Sequence, residues 1–110
     1  MNDANNINEK LRDINDVPAV EIITVAAINL MSAAAVKCGL GESNGEVELD
    51  LDEARKLINA LAGLIQASSS DLGTFHSRSL KDGLTSLQLA FREASTIPDL
   101  PGQGPGEQYI

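Results

Sequence analysis

The chain has 110 residues, which is the size of one domain and leaves no room for a second. Its 43% hydrophobic and 22% charged residues are typical of a folded protein rather than a disordered one. Eight Lys and Arg against 16 Asp and Glu give a net charge of -8, which argues against binding to a nucleic-acid backbone.

The N-terminal segment, residues 1–15, is predicted to be flexible. Ile7, Leu11 and Ile14 have helical spacing, but the pattern is brief. The segment is polar and mixed in charge, whereas a signal peptide begins with a positive stretch followed by an apolar run. The uncharged run 22–36 has 15 residues, and a transmembrane helix needs about 20. We therefore expect a cytoplasmic protein without a membrane span.

The first helix is predicted to begin at Asp16 and Pro18. Asp can cap a helix, and Pro is tolerated in the first turn, where no intrahelical N–H donor is needed. The helix should end near Lys37, because Gly39 and Gly41 follow and glycine readily adopts the C-cap conformation. Residues 41–50 then form a polar, acidic connector with at most one short extended stretch.

The second helix has a clear predicted start, since Asp50 and Glu53 have the form of a capping box. The serine cluster 68–70 should end this helix. A third helix is expected from about residue 72 to Ala94, weakened by Gly73 and Gly83. Because the link is short, helices two and three should form an antiparallel hairpin. The Pro- and Gly-rich residues 96–110 are predicted to be a disordered tail.

The fold class is therefore all-α, with the hairpin packed on helix one within a single domain, 16–95. Helical spacing of apolar residues predicts the hairpin core: Leu51, Ile58, Leu61, Leu80, Leu84, Leu87 and Phe91.

Helix one is apolar nearly all round, so it should be buried nearly all round. The hairpin covers one side only, and a second copy of the helix could cover the other. The stripe expected to carry self-association is Val20, Ile23, Ala27, Leu30 and Ala34. The alternative is a monomer with helix one at its centre. Asn29 and Glu21 either set the register of a helix pair or lie on a narrow solvated strip.

No catalytic, metal or cofactor site is predicted. His76 is the only histidine, and its sequence neighbours Asp71 and Ser77 do not make a triad, which depends on spatial geometry. One His and one Cys cannot supply a metal's ligand set. Cys38, the only cysteine, excludes an intrachain disulfide and is expected to be a small buried hydrophobe. The roles of His76, Cys38 and the serine cluster stay open.

The order of these features resembles a known family. An apolar helix and an acidic connector precede the segment LDEARKLINALAGL at 51–64, and a leucine-striped helix ends in Phe91, Arg92 and Glu93. This pattern is similar to the bacterial domain of unknown function 1844. The tail PDLPGQGPGE at 98–107 resembles its actinobacterial branch. The turn at 66–79 departs from other branches, because it carries serines and His76 instead of a Lys-Thr-rich stretch.

The resemblance implies no activity and no catalytic residues. It implies at most a loose link to translation, because relatives are often encoded near translation genes. We therefore expect a non-catalytic cytoplasmic interaction protein that forms a homodimer or small homo-oligomer. Two alternatives remain open: an acidic factor that joins the translation machinery through protein contacts, and a small-molecule or enzymatic site at a subunit interface.

Overall fold

The computed structural model describes residues 16–43 and 45–109, so the predicted flexible segment 1–15 lies outside the described residues. This part of the chain contains three helices and a small two-stranded antiparallel sheet. In chain order the elements are α1 (Ala19–Lys37), β1 (Cys38–Ser43), β2 (Glu46–Leu49), α2 (Leu51–Leu72) and α3 (Thr74–Ala94).

Helix α1 begins after Pro18, whose backbone is still extended at φ -59° and ψ 145°. The carbonyl of Pro18 accepts the N–H groups of Glu21 and Ile22 at 3.0 and 3.3 Å, and no side chain caps this end. The predicted cap by Asp16 is therefore wrong. The predicted end is confirmed: the helix stops at Lys37, and the glycine two residues later has φ +85°.

The predicted acidic connector is instead mostly a β-hairpin. Strands β1 and β2 pair antiparallel, with Glu42 opposite Val47. The Asp50 N–H donates to the Lys37 carbonyl at 2.8 Å and closes the hairpin against the end of α1. The sequence gives no signal for β1, because its two glycines leave no alternation of apolar and polar side chains.

Helix α2 starts at the predicted position, and the Asp50 side chain accepts the Glu53 N–H at 3.2 Å. The other half of the predicted capping box does not form, because the Asp50 N–H donates to the Lys37 carbonyl. It does not stop at the serine cluster. Ser68 is buried, and its hydroxyl donates to the Leu64 carbonyl at 2.5 Å, which keeps the serine inside the helix. The break falls instead at Gly73, the single residue before α3, at φ +83°.

The hydrophobic core is built chiefly by α2 and α3. Six of the seven predicted hairpin-core residues are buried, and Leu51 is half-buried against them. The Ser77 hydroxyl of α3 donates to the Ser69 carbonyl of α2 at 2.6 Å, which joins these helices beside their turn. A Cβ at Gly83 would lie 2.6 Å from the Met31 sulfur, so this glycine admits the Met31 side chain of α1.

The tail also differs from its prediction of disorder, because residues 96–109 lie against α2 and α3. The Gly106 N–H donates to Asn59 Oδ1 at 2.7 Å, and Gln88 Nε2 donates to the Pro105 carbonyl at 3.0 Å. Pro105 and Gly106 are both buried. Here the Pro and Gly residues shape turns that fit the helices, whereas composition alone suggested a loose chain.

Candidate interaction surfaces

One side of α1 is apolar and exposed to solvent. It follows helical spacing of three and four residues and is called the outer face; its members are Ile22, Val25, Ala26, Asn29, Ser32 and Ala33. Ile22 is 44% exposed and Val25 57%. Of the 19 residues of α1, only Ala27 and Ala34 are buried and eight are exposed, so one side of this apolar helix has no cover within the described chain.

The residues predicted to carry self-association lie on the opposite side of α1. Ala27 and Ala34 are fully buried in the chain's own core, and Val20, Ile23 and Leu30 are half-buried against it. A single copy therefore already covers this stripe. Because helix one is apolar nearly all round, its sequence did not show which side faces inward. The sequence feature that could have identified the solvent side is the position of the polar residues Asn29 and Ser32, which both lie on the outer face.

Helix α1 is long and apolar enough to cross a membrane by length and composition alone. The expectation from the sequence counted only its 15 uncharged residues, whereas the helix itself has 19. The core helix of a soluble protein and a signal sequence pass the same test. This finding therefore does not separate a membrane segment from a helix that packs against protein.

Opposite charges flank the outer face. Glu21 is exposed in the first turn of α1, and Lys37 occupies the last residue. The Lys37 ammonium binds Glu48 of β2. This hydrogen bond raises the pKa of Lys37; a smaller desolvation effect opposes it, and the charges of Glu48, Asp50 and Glu53 add to the rise.

The β-hairpin covers the C-terminal end of the same face. A Cβ at Gly41 would lie 3.1 Å from Val36 Cγ2, so β1 rests directly on Val36. The outer face is consequently accessible from Ile22 to Ala33, and the β-hairpin rises above the helix surface at Val36. Any partner that packs along this face meets the hairpin at one end only.

The turn between α2 and α3 forms an open depression of about 510 Å³. Its lining includes Arg78, Lys81 and the hydroxyl of Ser77, which is already donated to the Ser69 carbonyl. His76 is exposed, and its ring meets Phe75 edge to face at a centroid distance of 5.6 Å. The turn therefore gathers polar groups without pairing His76 with a nucleophile.

Cys38 is buried at 5% exposure at the start of β1, and desolvation raises the pKa of its thiol. A protonated, covered thiol is a poor nucleophile and a poor metal ligand. Among the described residues, no three His, Cys, Asp or Glu side chains come together as a metal-binding group.

The tail is held by polar side chains from α2 and α3. Arg55 Nη2 donates to both carboxylate oxygens of Asp99, at 3.0 and 2.8 Å. Asn59 and Gln88 bind the backbone of the tail near Pro105, as described above. A small cavity of about 170 Å³ remains between α3 and the tail. These three side chains can recognise a carboxylate, a backbone N–H and a backbone carbonyl.

Comparison with known proteins gives one match. The family model of the domain of unknown function DUF1844 matches residues 19–93, which run from the start of α1 almost to the end of α3. No curated protein and no solved structure matches the chain.

Proposed function

Because the chain belongs to the DUF1844 family, whose description assigns no activity, we propose from the structure itself that it is a non-catalytic protein that self-associates through the outer face of α1. The carrying observation is the exposed apolar surface of Ile22, Val25 and Ala26 on a helix with only two buried residues. The proposal includes the finer expectations of a cytoplasmic location, an actinobacterial relationship and an antiparallel α2–α3 hairpin packed on α1.

A second copy of the chain is the occupant that fits the charges. Between Glu21 and Lys37 the outer face carries no charge. Asn29 lies eight residues from each, or about 12 Å along the helix. Two α1 helices that run antiparallel and cross at Asn29 therefore bring each Glu21 level with the partner's Lys37, which in its own chain binds Glu48 and has further N–H donors. Antiparallel helix dipoles favour the same arrangement.

The shape of the face favours the same orientation. The hairpin stands on Val36 at one end, whereas the face is open at Ile22. In a parallel pair the two hairpins would meet at the same end and hold the helices apart. In an antiparallel pair each hairpin lies beside the open end of the other helix, so the small side chains between them can pack closely.

This arrangement predicts a residue register. Asn29 lies opposite the partner's Asn29, where the two amides can hydrogen-bond to each other and fix the alignment. Val25 lies opposite the partner's Ala33. The pair is symmetric, as expected for a homodimer.

Disulfide cross-linking tests both the association and its direction. In a Cys38→Ala background, Asn29→Cys should cross-link efficiently. A mixture of Val25→Cys and Ala33→Cys chains should cross-link with each other, and neither variant should cross-link when alone. Leu89→Cys is the matched control, because Leu89 is exposed at 56% on α3 and away from the outer face.

The outcomes separate cleanly. Cross-linking of Val25→Cys alone would establish a parallel pair and overturn the antiparallel register. No cross-link by Asn29→Cys, together with a monomeric mass by light scattering, would overturn self-association. Flotation of that monomer with phosphatidylcholine vesicles would then assign the outer face to a membrane surface.

A further inference from the structure

The C-terminal segment is attached to the helices mainly by polar contacts. Among its described residues, 96–109, the two largest aliphatic side chains are Ile97 and Leu100; they are 87% and 66% exposed, so they add little to the core. Of the tail residues that the structure describes, only Pro105 and Gly106 are buried. Since hydrophobic burial is the main source of stability, this segment should open with less free energy than the helices need to unfold.

The surface beneath the tail has the features of a peptide-binding groove. We call it the clamp groove and define it by Arg55, Ile58, Asn59, Ala62, Gly63 and Gln88. Its floor is apolar and closely fitted: a Cβ at Gly106 would lie 2.9 Å from Ala62 Cβ and 3.5 Å from Ile58 Cγ2. The Tyr109 ring lies over Gly63, since a Cβ there would be 3.9 Å from Tyr109 Cζ.

The polar side chains of the clamp groove recognise the backbone rather than tail side chains. Asn59 accepts the Gly106 N–H, and Gln88 donates to the carbonyl of the residue before it. An amide acceptor and an amide donor thus bind one Pro-Gly unit. Arg55 adds recognition of a carboxylate six residues upstream of that Pro. Side-chain groups that hydrogen-bond the backbone of a bound segment also occur in known modes of peptide recognition.

We propose that the clamp groove is a peptide-binding site, occupied in cis by residues 99–109 as a tethered ligand. When the tail opens, the groove accepts in trans a segment that carries a carboxylate followed, six residues later, by a Pro-Gly turn. The tether keeps its own segment at a high effective concentration, so the groove is closed to weak competitors. This site lies on α2 and α3, is separate from the outer face of α1, and does not depend on self-association.

Two glycine substitutions in the full chain form a matched pair for testing the opening. Gly106→Ala places a methyl group against Ala62 and the Gln88 nitrogen, 3.2 Å away, at φ +77°. Gly102→Ala meets a similar backbone strain at φ +83° but has no atom within 4 Å of its Cβ. Only the first substitution should displace the tail from the clamp groove.

Hydrogen exchange measured by mass spectrometry reports this opening. In Gly106→Ala the fragment 96–110 should exchange at least tenfold faster than in Gly102→Ala, while fragments from α2 keep their protection. Equal exchange of the tail in the two variants, or loss of protection in α2 together with the tail, would overturn the proposal. If Gly106→Ala fails to fold, Gln88→Ala repeats the test by removing one donor of the groove.

A synthetic peptide of residues 96–110 then tests binding in trans. Added to the Gly106→Ala chain, it should shift the side-chain amide resonances of Asn59 and Gln88. The unaltered chain, whose own tail competes, should need at least tenfold more peptide. A peptide carrying Asp99→Asn should bind at least threefold more weakly. If millimolar peptide leaves both amide resonances of the opened chain unchanged, the groove is no peptide site and the proposal fails.

Discussion

Arg55 joins three parts of the chain through one side chain. Its Nη2 atom donates to both carboxylate oxygens of Asp99, 44 residues later, and its guanidinium carbon lies 4.9 Å from the centre of the Phe91 ring. Helix α2 is thereby connected to the tail by charge and to α3 by a cation–π contact. The planar guanidinium suits this position, because it can face a ring while its edge donates hydrogen bonds.

Replacing Arg55 by Lys should therefore destabilise the protein although the charge is kept. We expect a loss of about 1 kcal/mol or less, because the pair is partly exposed and solvent screens it. Urea denaturation followed by circular dichroism measures this loss. Lys56→Arg is the control, since the Lys56–Glu53 pair is exposed and should contribute almost nothing. An equal effect of both substitutions would show that Arg55 has no special role.

The capping contact at the start of α2 gives a second prediction. Asp50→Ala removes the acceptor of the Glu53 N–H and should lower the free energy of unfolding by about 1 kcal/mol. Asp52→Ala removes a first-turn acid that interacts favourably with the helix dipole, and should cost a few tenths of a kcal/mol. Thermal unfolding of the two variants side by side checks the order, and a smaller effect at Asp50 would contradict the capping geometry.

Neighbouring alanines of α1 separate folding from association. Ala26 is exposed on the outer face, and Ala27 is fully buried. Ala26→Glu should leave the circular dichroism spectrum and the unfolding midpoint nearly unchanged but reduce the mass measured by light scattering to that of a monomer. Ala27→Glu buries an unpaired carboxylate and should cost several kcal/mol, about enough to unfold a small domain.

Both results are needed for the interpretation. If the Ala26→Glu chain still associates, the outer face is not part of the interface. A stable Ala27→Glu chain would mean that the inner side of α1 is not packed against the core as described.

The buried thiol of Cys38 predicts a pH dependence. Burial raises its pKa above the ordinary value of 9.0, so the unfolded state loses this proton first as the pH rises. This thiol therefore leaves stability unchanged below about pH 9 and lowers it as the pH rises towards the folded pKa. Cys38→Ala should remove this fall: the stability difference between the two chains should shrink or reverse from pH 7.5 to pH 10. A constant difference would refute the burial argument.

Local sequence signals predicted the helical part of the fold. The Asp50 cap, the end of α1 at Lys37 and the apolar spacing of α2 and α3 depend on neighbours in the chain, so they can be recognised without the structure. The resemblance to the DUF1844 family is confirmed by the family model, which matches residues 19–93 and so covers the three helices almost completely. Helix boundaries and periodicity thus come from short-range chemistry.

The remaining features depend on contacts between distant residues. β1 is a strand because it pairs with β2, where Cys38 lies opposite Leu49, and Gly106 is held because Asn59, 47 residues earlier, accepts its N–H. Neither contact has a local signal. Which side of α1 faces inward likewise depends on the rest of the chain, which buries Ala27 and Ala34 and leaves Val25 57% exposed.

Tyr109 makes the intrinsic fluorescence of the protein specific to one part of the chain. The chain has no Trp and one Tyr, and that Tyr lies in the tail over Gly63. Intrinsic fluorescence therefore reports on the tail alone, whereas circular dichroism reports on the helices. A fluorescence transition that precedes the loss of helix would thus describe the tail's departure from α2, and its midpoint would understate the stability of the helical domain.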